Sequence, residues 1–327
     1  MSKNNKVVLV GAGYWGTNIA KNLVKLNKKF LVCDLNKKKS NLLKKRFPNN
    51  IIVNNNFKKL LKEEKNNHFI FATPPSKNFK LIKLAIKNNK KIFIEKPGFK
   101  NTYQIQKLKK LFPQGVKNLT FGYIYLFNNY IKFLKKFINN KKNGKILYAK
   151  FQRQNLGPIR NDVNVSYDLS AHDISILIYL FGKKIKLINS NSYKILNNKI
   201  SDISNLSFKV KNFYTDINNS WLNPDKIRRI ILITTKKMLL FDEMKADEKI
   251  KIYNKYAVYP KLEKLKNNFF SKEAKIYEGL NFSPLIKEND PLFDEIKYFL
   301  SNKKTFINKF TNINFAENVL HILQKVK

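Results

Sequence analysis

The chain has 327 residues, 43% of them hydrophobic, enough for a sizeable core and for two domains more readily than one or three. Its formal net charge is +43, but only five of the 65 basic residues are arginine and the lysines run through the whole sequence. That pattern is compositional bias; it argues against a specific nucleic-acid partner and leaves only weak, salt-sensitive binding of polyanions. The single cysteine, Cys33, excludes an internal disulfide and a cysteine-rich metal site, and no apolar run approaches the roughly 18 residues of a membrane span. A cytoplasmic protein with neither bound metal nor membrane contact is expected.

In chain order, residues 6–10 form an apolar run that ends at a glycine-rich turn, 17–26 carries helical periodicity, and 30–33 is apolar again. The alternation continues with a helix over 57–65, a strand over 68–72, a helix over 79–88, a strand over 92–95, a helix over 104–111 and an apolar run over 119–122. Strands alternating with helices predict a doubly wound parallel sheet, and the first domain is expected to end at Gly122. Beyond it come a helix over 129–139, a strand over 146–154 and a helix over 169–181. Strand-like segments over 186–196, 204–210, 213–217, 227–235 and 237–241 then follow without helices between them, which predicts a largely antiparallel sheet. Closing helices are expected over 290–299 and 315–326. The predicted class is α/β, with a doubly wound parallel-sheet domain over 1–122 and a second α/β domain with a mostly antiparallel sheet over 123–327.

Gly11-Ala12-Gly13-Tyr14-Trp15-Gly16 fits G-x-G-x-x-G between a predicted strand and a predicted helix. In that setting the glycines permit a tight turn and bring backbone amides to a pyrophosphate at the helix N-terminus. Asp34 ends the second strand, where a carboxylate binds the adenosine ribose hydroxyl and repels a 2′-phosphate; NAD is the expected cofactor. Lys37 and Lys38 lie close enough to keep NADP open, and a plain capping role for Asp34 is the alternative.

Thr73-Pro74 and Glu95-Lys96-Pro97 follow later strands at their C-terminal ends, where open α/β sheets bind ligands. A lysine before a proline also fits an exposed turn. Asp168 and His172 stand four residues apart on a predicted helix, sharing a polar stripe with Ser175 and Tyr179, while Ile174, Leu177, Ile178 and Phe181 form the stripe expected to be buried. A carboxylate one turn from a histidine can orient the ring and favour its protonated form, which suits general acid–base work, although such a pair taken alone is more often structural. His68 and His321 lack such company and are expected to be structural. The stretch 153–164, with Arg153, Asn155 and Arg160, could grip a phosphate or an array of sugar hydroxyls, or be a loop held by its own Asn and Asp turns.

Together, GAGYWG (Gly11 to Gly16), ATPPSKN (Ala72 to Asn78), IFIEKP (Ile92 to Pro97), GYIYLFNNY (Gly122 to Tyr130) and DLSAHD (Asp168 to Asp173) followed by YLFG resemble the Gfo/Idh/MocA family, over nearly the whole chain. The resemblance implies a Rossmann domain and then an α/β domain with a large open sheet whose face commonly makes dimer or tetramer contacts. It also implies that Lys96, Asp168 and His172 meet at the nicotinamide; the proline after that lysine is often cis in the family, and a cis Pro97 would hold Lys96 in position. It departs at Asn78, where the family often has a histidine.

The expected function is NAD(P)-dependent oxidoreduction, a hydride passing between a secondary alcohol of a sugar, nucleotide sugar or polyol and the nicotinamide. Lys96, His172 and Asp168 would be catalytic; Gly11, Gly13, Tyr14, Trp15, Gly16, Asp34, Thr73, Pro74, Glu95 and Lys96 would hold the cofactor; Arg153, Asn155 and Arg160 would hold the substrate. The alternatives are an NAD-recycling glycoside hydrolase or lyase of the same family, and a non-catalytic dinucleotide-binding regulator. The expected partners are a small-molecule substrate and further copies of the chain in a homodimer or homotetramer.

Overall fold

The structure, a computed structural model, describes residues 6–63, 65–157, 159–160, 163–196, 199–258, 274–301 and 305–326. The chain divides into two compact units. One runs through Asn128 and resumes from Asn289 to Gln324; the other holds Asn129–Glu288.

The first unit is built on a six-stranded, wholly parallel sheet of β1 (Lys6–Val10), β2 (Phe30–Cys33), β3 (Ile51–Val53), β4 (Asn66–Phe71), β5 (Lys91–Glu95) and β6 (Leu119–Gly122), in the order β3-β2-β1-β4-β5-β6. The connecting helices are α1 (Tyr14–Lys25), α2 (Lys37–Arg46), α3 (Phe57–Lys62), α4 (Pro75–Lys87) and α5 (Thr102–Leu111). Strands buried on both faces read as unbroken apolar runs, and Val7–Val10, Phe30–Cys33, Phe69–Phe71 and Ile92–Ile94 are buried at every position. Each fully buried Leu, Ile or Phe contributes about 1.5–3 kcal/mol. One face packs Val7, Leu9, Phe30, Val32, Ile70 and Phe93 against helical residues including Ile19, Leu23 and Leu43.

The same cluster takes in Leu292, Ile296 and Phe299 of α8 (Pro291–Ser301). Helix α9 (Ile313–Leu323) joins through the Lys109–Glu317 ion pair and through Phe315, whose ring meets Tyr123 at 5.1 Å. The compact units therefore do not divide at Gly122. The chain stays with the first unit to Asn128, and the two closing helices return to it because their apolar stripes complete its core.

The second unit opens with α6 (Asn129–Asn139), followed by β7 (Ile146–Gln154) and α7 (Ala171–Phe181). A run of strands follows: β8 (Ile185–Tyr193), β9 (Ile203–Val210), β10 (Phe213–Ser220), β11 (Ile227–Thr234), β12 (Met238–Asp242) and β13 (Ile250–Tyr253). They form a seven-stranded sheet, β13-β12-β11-β7-β10-β9-β8, in which only β7 and β10 pair in parallel. Burial alternates along β7, β9 and β11, the signature of a sheet with one packed face and one open face. Strands β14 (Lys255–Val258) and β15 (Lys275–Glu278) make a small separate hairpin. Among the described residues no helix is long and apolar enough to cross a membrane.

Candidate active site

In the first unit the strand order reverses between β1 and β4, the switch point at which doubly wound sheets bind ligands beyond their strand ends. The glycine turn after β1 sits there. Gly11 has a φ of +101°, and a Cβ on it would lie 2.6 Å from the Ala72 carbonyl oxygen; a Cβ on Gly16 would lie 2.0 Å from the Gly11 carbonyl oxygen. Both positions therefore require glycine. Gly13 differs, because a Cβ there would meet nothing within 4 Å. It precedes α1, whose N-terminus no side chain caps, so open space lies beside amides that an anion can accept from.

Asp34 holds the turn from the side. Its Oδ2 accepts the Ala12 amide at 2.7 Å and its Oδ1 the Asn36 amide at 2.8 Å. An ionised carboxylate has roughly four acceptor sites, so capacity for ribose hydroxyls remains. Beside it Leu35 is 98% exposed, an apolar surface fit for one face of a base. These residues fit a dinucleotide. Of the two aromatics in the turn, Tyr14 is 80% exposed, whereas Trp15 leans on the core and belongs to packing rather than to the open cradle. Cys33 is buried, with its thiol pushed up to about 11 by burial and then by the Asp34 charge, which makes it inert.

Thr73 and Pro74 link β4 to α4. The Thr73 hydroxyl bonds Oδ1 of the fully buried Asn78, whose Nδ2 donates to the Gly98 carbonyl at 2.7 Å. Asn78, at the position where the resemblance expects histidine, thus ties the turn after β4 to the turn after β5. That second turn carries Glu95, Lys96 and Pro97, and the Lys96–Pro97 bond is cis. The sequence reading missed Glu295. It lies on the buried stripe of α8 with Leu292, Ile296 and Phe299, and no side chain donates to either of its oxygens. Burial, and secondly the nearby Glu95 charge, holds its carboxyl well above the usual range. Burial likewise pushes Glu95 up to about 7, against the Lys96 ammonium and amide, which pull it down. An acid at a core position of an otherwise apolar stripe was the available signal for Glu295.

In the second unit α7 differs from the amphipathic helix expected. Ser175 and Tyr179 are buried along with Ile174, Leu177, Ile178 and Phe181, and His172 is the one residue of α7 that is not buried. Residues Ser166–Ser170, which include Asp168, form a π-helical turn leading into it, a local form frequent at functional sites. The Asn164 side chain caps this turn by accepting the Tyr167 amide at 2.8 Å. Arg160 reaches Asp168 at 3.5 Å, so one of the three expected substrate residues stands beside an expected catalytic one.

Arg153 has a different task from the one expected. It is buried, and its Nε and Nη2 donate to Oδ1 of buried Asp173 at 3.1 and 2.9 Å. A guanidinium so engaged is a structural fork rather than a substrate ligand, and removing one partner of such a pair costs about 3–5 kcal/mol. Asn155 accepts from Arg228 Nη2 at 2.5 Å, while Arg228 Nη1 donates to the carbonyls of Gln154 and Ile227. Arg228 therefore anchors the start of the loop; in a chain so rich in lysine, the Arg228-Arg229 pair was the available signal. His68 is buried, edge-on to Phe299 at 5.5 Å, and His321 is exposed on the last turn of α9.

Residues 5–123 match the family model described as "Oxidoreductase family, NAD-binding Rossmann fold", that of Gfo/Idh/MocA. Residues 5–123 carry the NAD-binding Rossmann fold of this oxidoreductase family. No curated protein matches its sequence. Among solved structures it is similar to UDP-N-acetylglucosamine 3-dehydrogenase from Acidithiobacillus ferrooxidans, with a TM-score of 0.76 and 16% identity over 99% of this chain and 96% of that one. It is also similar to GenD2 from gentamicin A biosynthesis in complex with NAD, at 0.77 and 14% over 100% and 94%. A third is a candidate NADPH-dependent oxidoreductase from Desulfitobacterium hafniense DCB-2, at 0.78 and 15% over 100% and 95%. At these identities the likeness concerns the fold, and it extends over both units.

Proposed function

We propose that this Gfo/Idh/MocA oxidoreductase is a dehydrogenase or reductase acting on a secondary alcohol of a sugar, nucleotide sugar or polyol, with NAD as the preferred cofactor. The observation that carries the reading is that an eleven-residue helix, buried at every other position, leaves only His172 partly open, next to a π-helical turn that presents Asp168. An imidazole left partly exposed beside a carboxylate is available for proton transfer. The dinucleotide would be held by the amides at the start of α1, by Asp34 and by the turns at Thr73-Pro74 and Glu95-Lys96. When bound, it supplies hydride acceptance or donation at nicotinamide C4.

His172 takes the proton of the substrate hydroxyl in the oxidative direction and returns it in the reductive one. Lys96, positively charged, stabilises the alkoxide oxygen as it develops. Asp168 orients His172 and favours its protonated form, and Arg160 serves the substrate. The sugar or polyol class rests on the relatives' described activities together with the polar loop of Asn155 and Arg160.

Single His172→Ala and Lys96→Ala variants test the roles. Turnover of UDP-N-acetylglucosamine, myo-inositol or free hexoses with NAD is expected to fall roughly 100-fold or more in each, while NADH binding persists. Full turnover in both variants would remove these residues from the chemistry.

A further inference from the structure

Five arginines survive in a chain of 65 basic residues, and one of them, Arg153, is buried in the middle of the second unit. Lysine supplies charge as well as arginine does; it cannot supply a planar fork, so an arginine kept against such a bias marks a geometric requirement. Arg153 is the penultimate residue of β7 and lies directly beside Asn219 of the parallel neighbour β10. Both side chains converge on Asp173. The guanidinium donates to Oδ1 at 2.9 and 3.1 Å, and Asn219 Nδ2 donates to Oδ2 at 3.0 Å. The Asn219 carbonyl then accepts the hydroxyl of Ser170, the last residue of the π-helical turn. Ser170 and Asp173 thus bracket residues 171 and 172, Ser170 held to β10 and Asp173 to both β7 and β10.

We infer that Arg153, Asn219, Asp173 and Ser170 form a positioning clamp that fixes the register of α7 and the π-helical turn, and so aims the His172 ring and the Asp168 carboxylate. The inference rests on the proposed roles of those two residues. Segment 174–181 is apolar except for Ser175 and Tyr179, and burial of apolar surface is non-directional, so it does little to fix the helix's rotation or register. Directional bonds to a forked donor remove that freedom. The Ser175 hydroxyl, bonded to the His172 carbonyl at 2.7 Å, holds the same turn from the other end. The clamp acts through residue 172, as a positioning device.

The test is nuclear magnetic resonance of protein isotopically labelled at its three histidines, each reported separately, in Ser170→Ala, Asn219→Leu and Arg153→Lys. Ser170→Ala deletes one hydroxyl and keeps the rest of the clamp, so a folded variant is available even where the others unfold. The His172 ring signals are expected to shift or broaden, with those of His68 and His321 unchanged. An Ile217→Val control on β10 should leave all three in place. In whichever substrate the wild type oxidises, the same variants should lose kcat by roughly 10- to 100-fold with NADH affinity unchanged, and should lose nothing further in a His172→Ala background. Unmoved His172 signals in the folded variants, or equal movement in the control, would overturn the clamp. Full turnover in His172→Ala alone would instead overturn the catalytic reading, with the resonance result still deciding whether the clamp sets residue 172.

Discussion

Asp34 accepts the Ala12 amide through one carboxylate oxygen and the Asn36 amide through the other, so its charge is fixed in place at the edge of the glycine turn. A fixed anion there admits a ribose diol and repels a 2′-phosphate. Replacement by Ala should weaken NAD and strengthen NADP, changing the ratio of their dissociation constants by about tenfold, since one charge interaction of about 1.4 kcal/mol corresponds to that factor. Titration of both cofactors checks it, and an unchanged ratio would take Asp34 out of the site. Asp34, Lys96 and His172 were all legible as candidates because each stood at an informative place in a recognisable pattern. For Arg153, sequence shows a cation near a polar loop but not that its own side chain turns inward near the end of β7, onto a carboxylate one residue past the histidine.

At the scale of elements, the long apolar strands and helices announced themselves, and the weakly apolar ones did not. Helix α2 buries only Ser40 and Leu43 among six basic residues, so it has almost no apolar period; the Asn36 cap, accepting the Lys38 and Lys39 amides, defines its start. Strand β3, three residues long, is too short for any alternation to show. Helix α8 was legible as a helix but not as the bearer of a buried acid. Glu95 and Glu295 are both held above the ordinary 4.5, so the folded protein binds more protons than the unfolded chain over that window. Their contribution to stability is present below about 4.5 and is lost as pH rises through the folded values, near 7 for Glu95. Glu295→Gln, neutral at every pH, should therefore flatten the decline. Its melting temperature relative to wild type is expected to rise between pH 5 and pH 8, by thermal unfolding across that range. A parallel pair of curves would show that the carboxyl stays ionised when folded.

For the whole molecule, the alternation of strands and helices followed by consecutive strands was enough to read a parallel sheet and then a mostly antiparallel one. The division of the chain was not readable in the same way. Leu292, Ile296 and Phe299 complete a core begun by Val7 and Leu9, and a contact spanning most of the chain leaves no local trace. The charge of +43 likewise misleads if taken at face value, because it is spread over the whole sequence, whereas the named site residues are few and individually positioned. The proposed reaction is hydride transfer between a sugar-like alcohol and a nicotinamide. It is tested most directly by the nicotinamide absorbance of purified protein with NAD and a panel of nucleotide sugars, free sugars and inositols, run beside His172→Ala. NADH formation is expected with one class of compound and is lost in the variant. Release of a sugar substituent without net NADH, or NADH formation undiminished in His172→Ala, would contradict it.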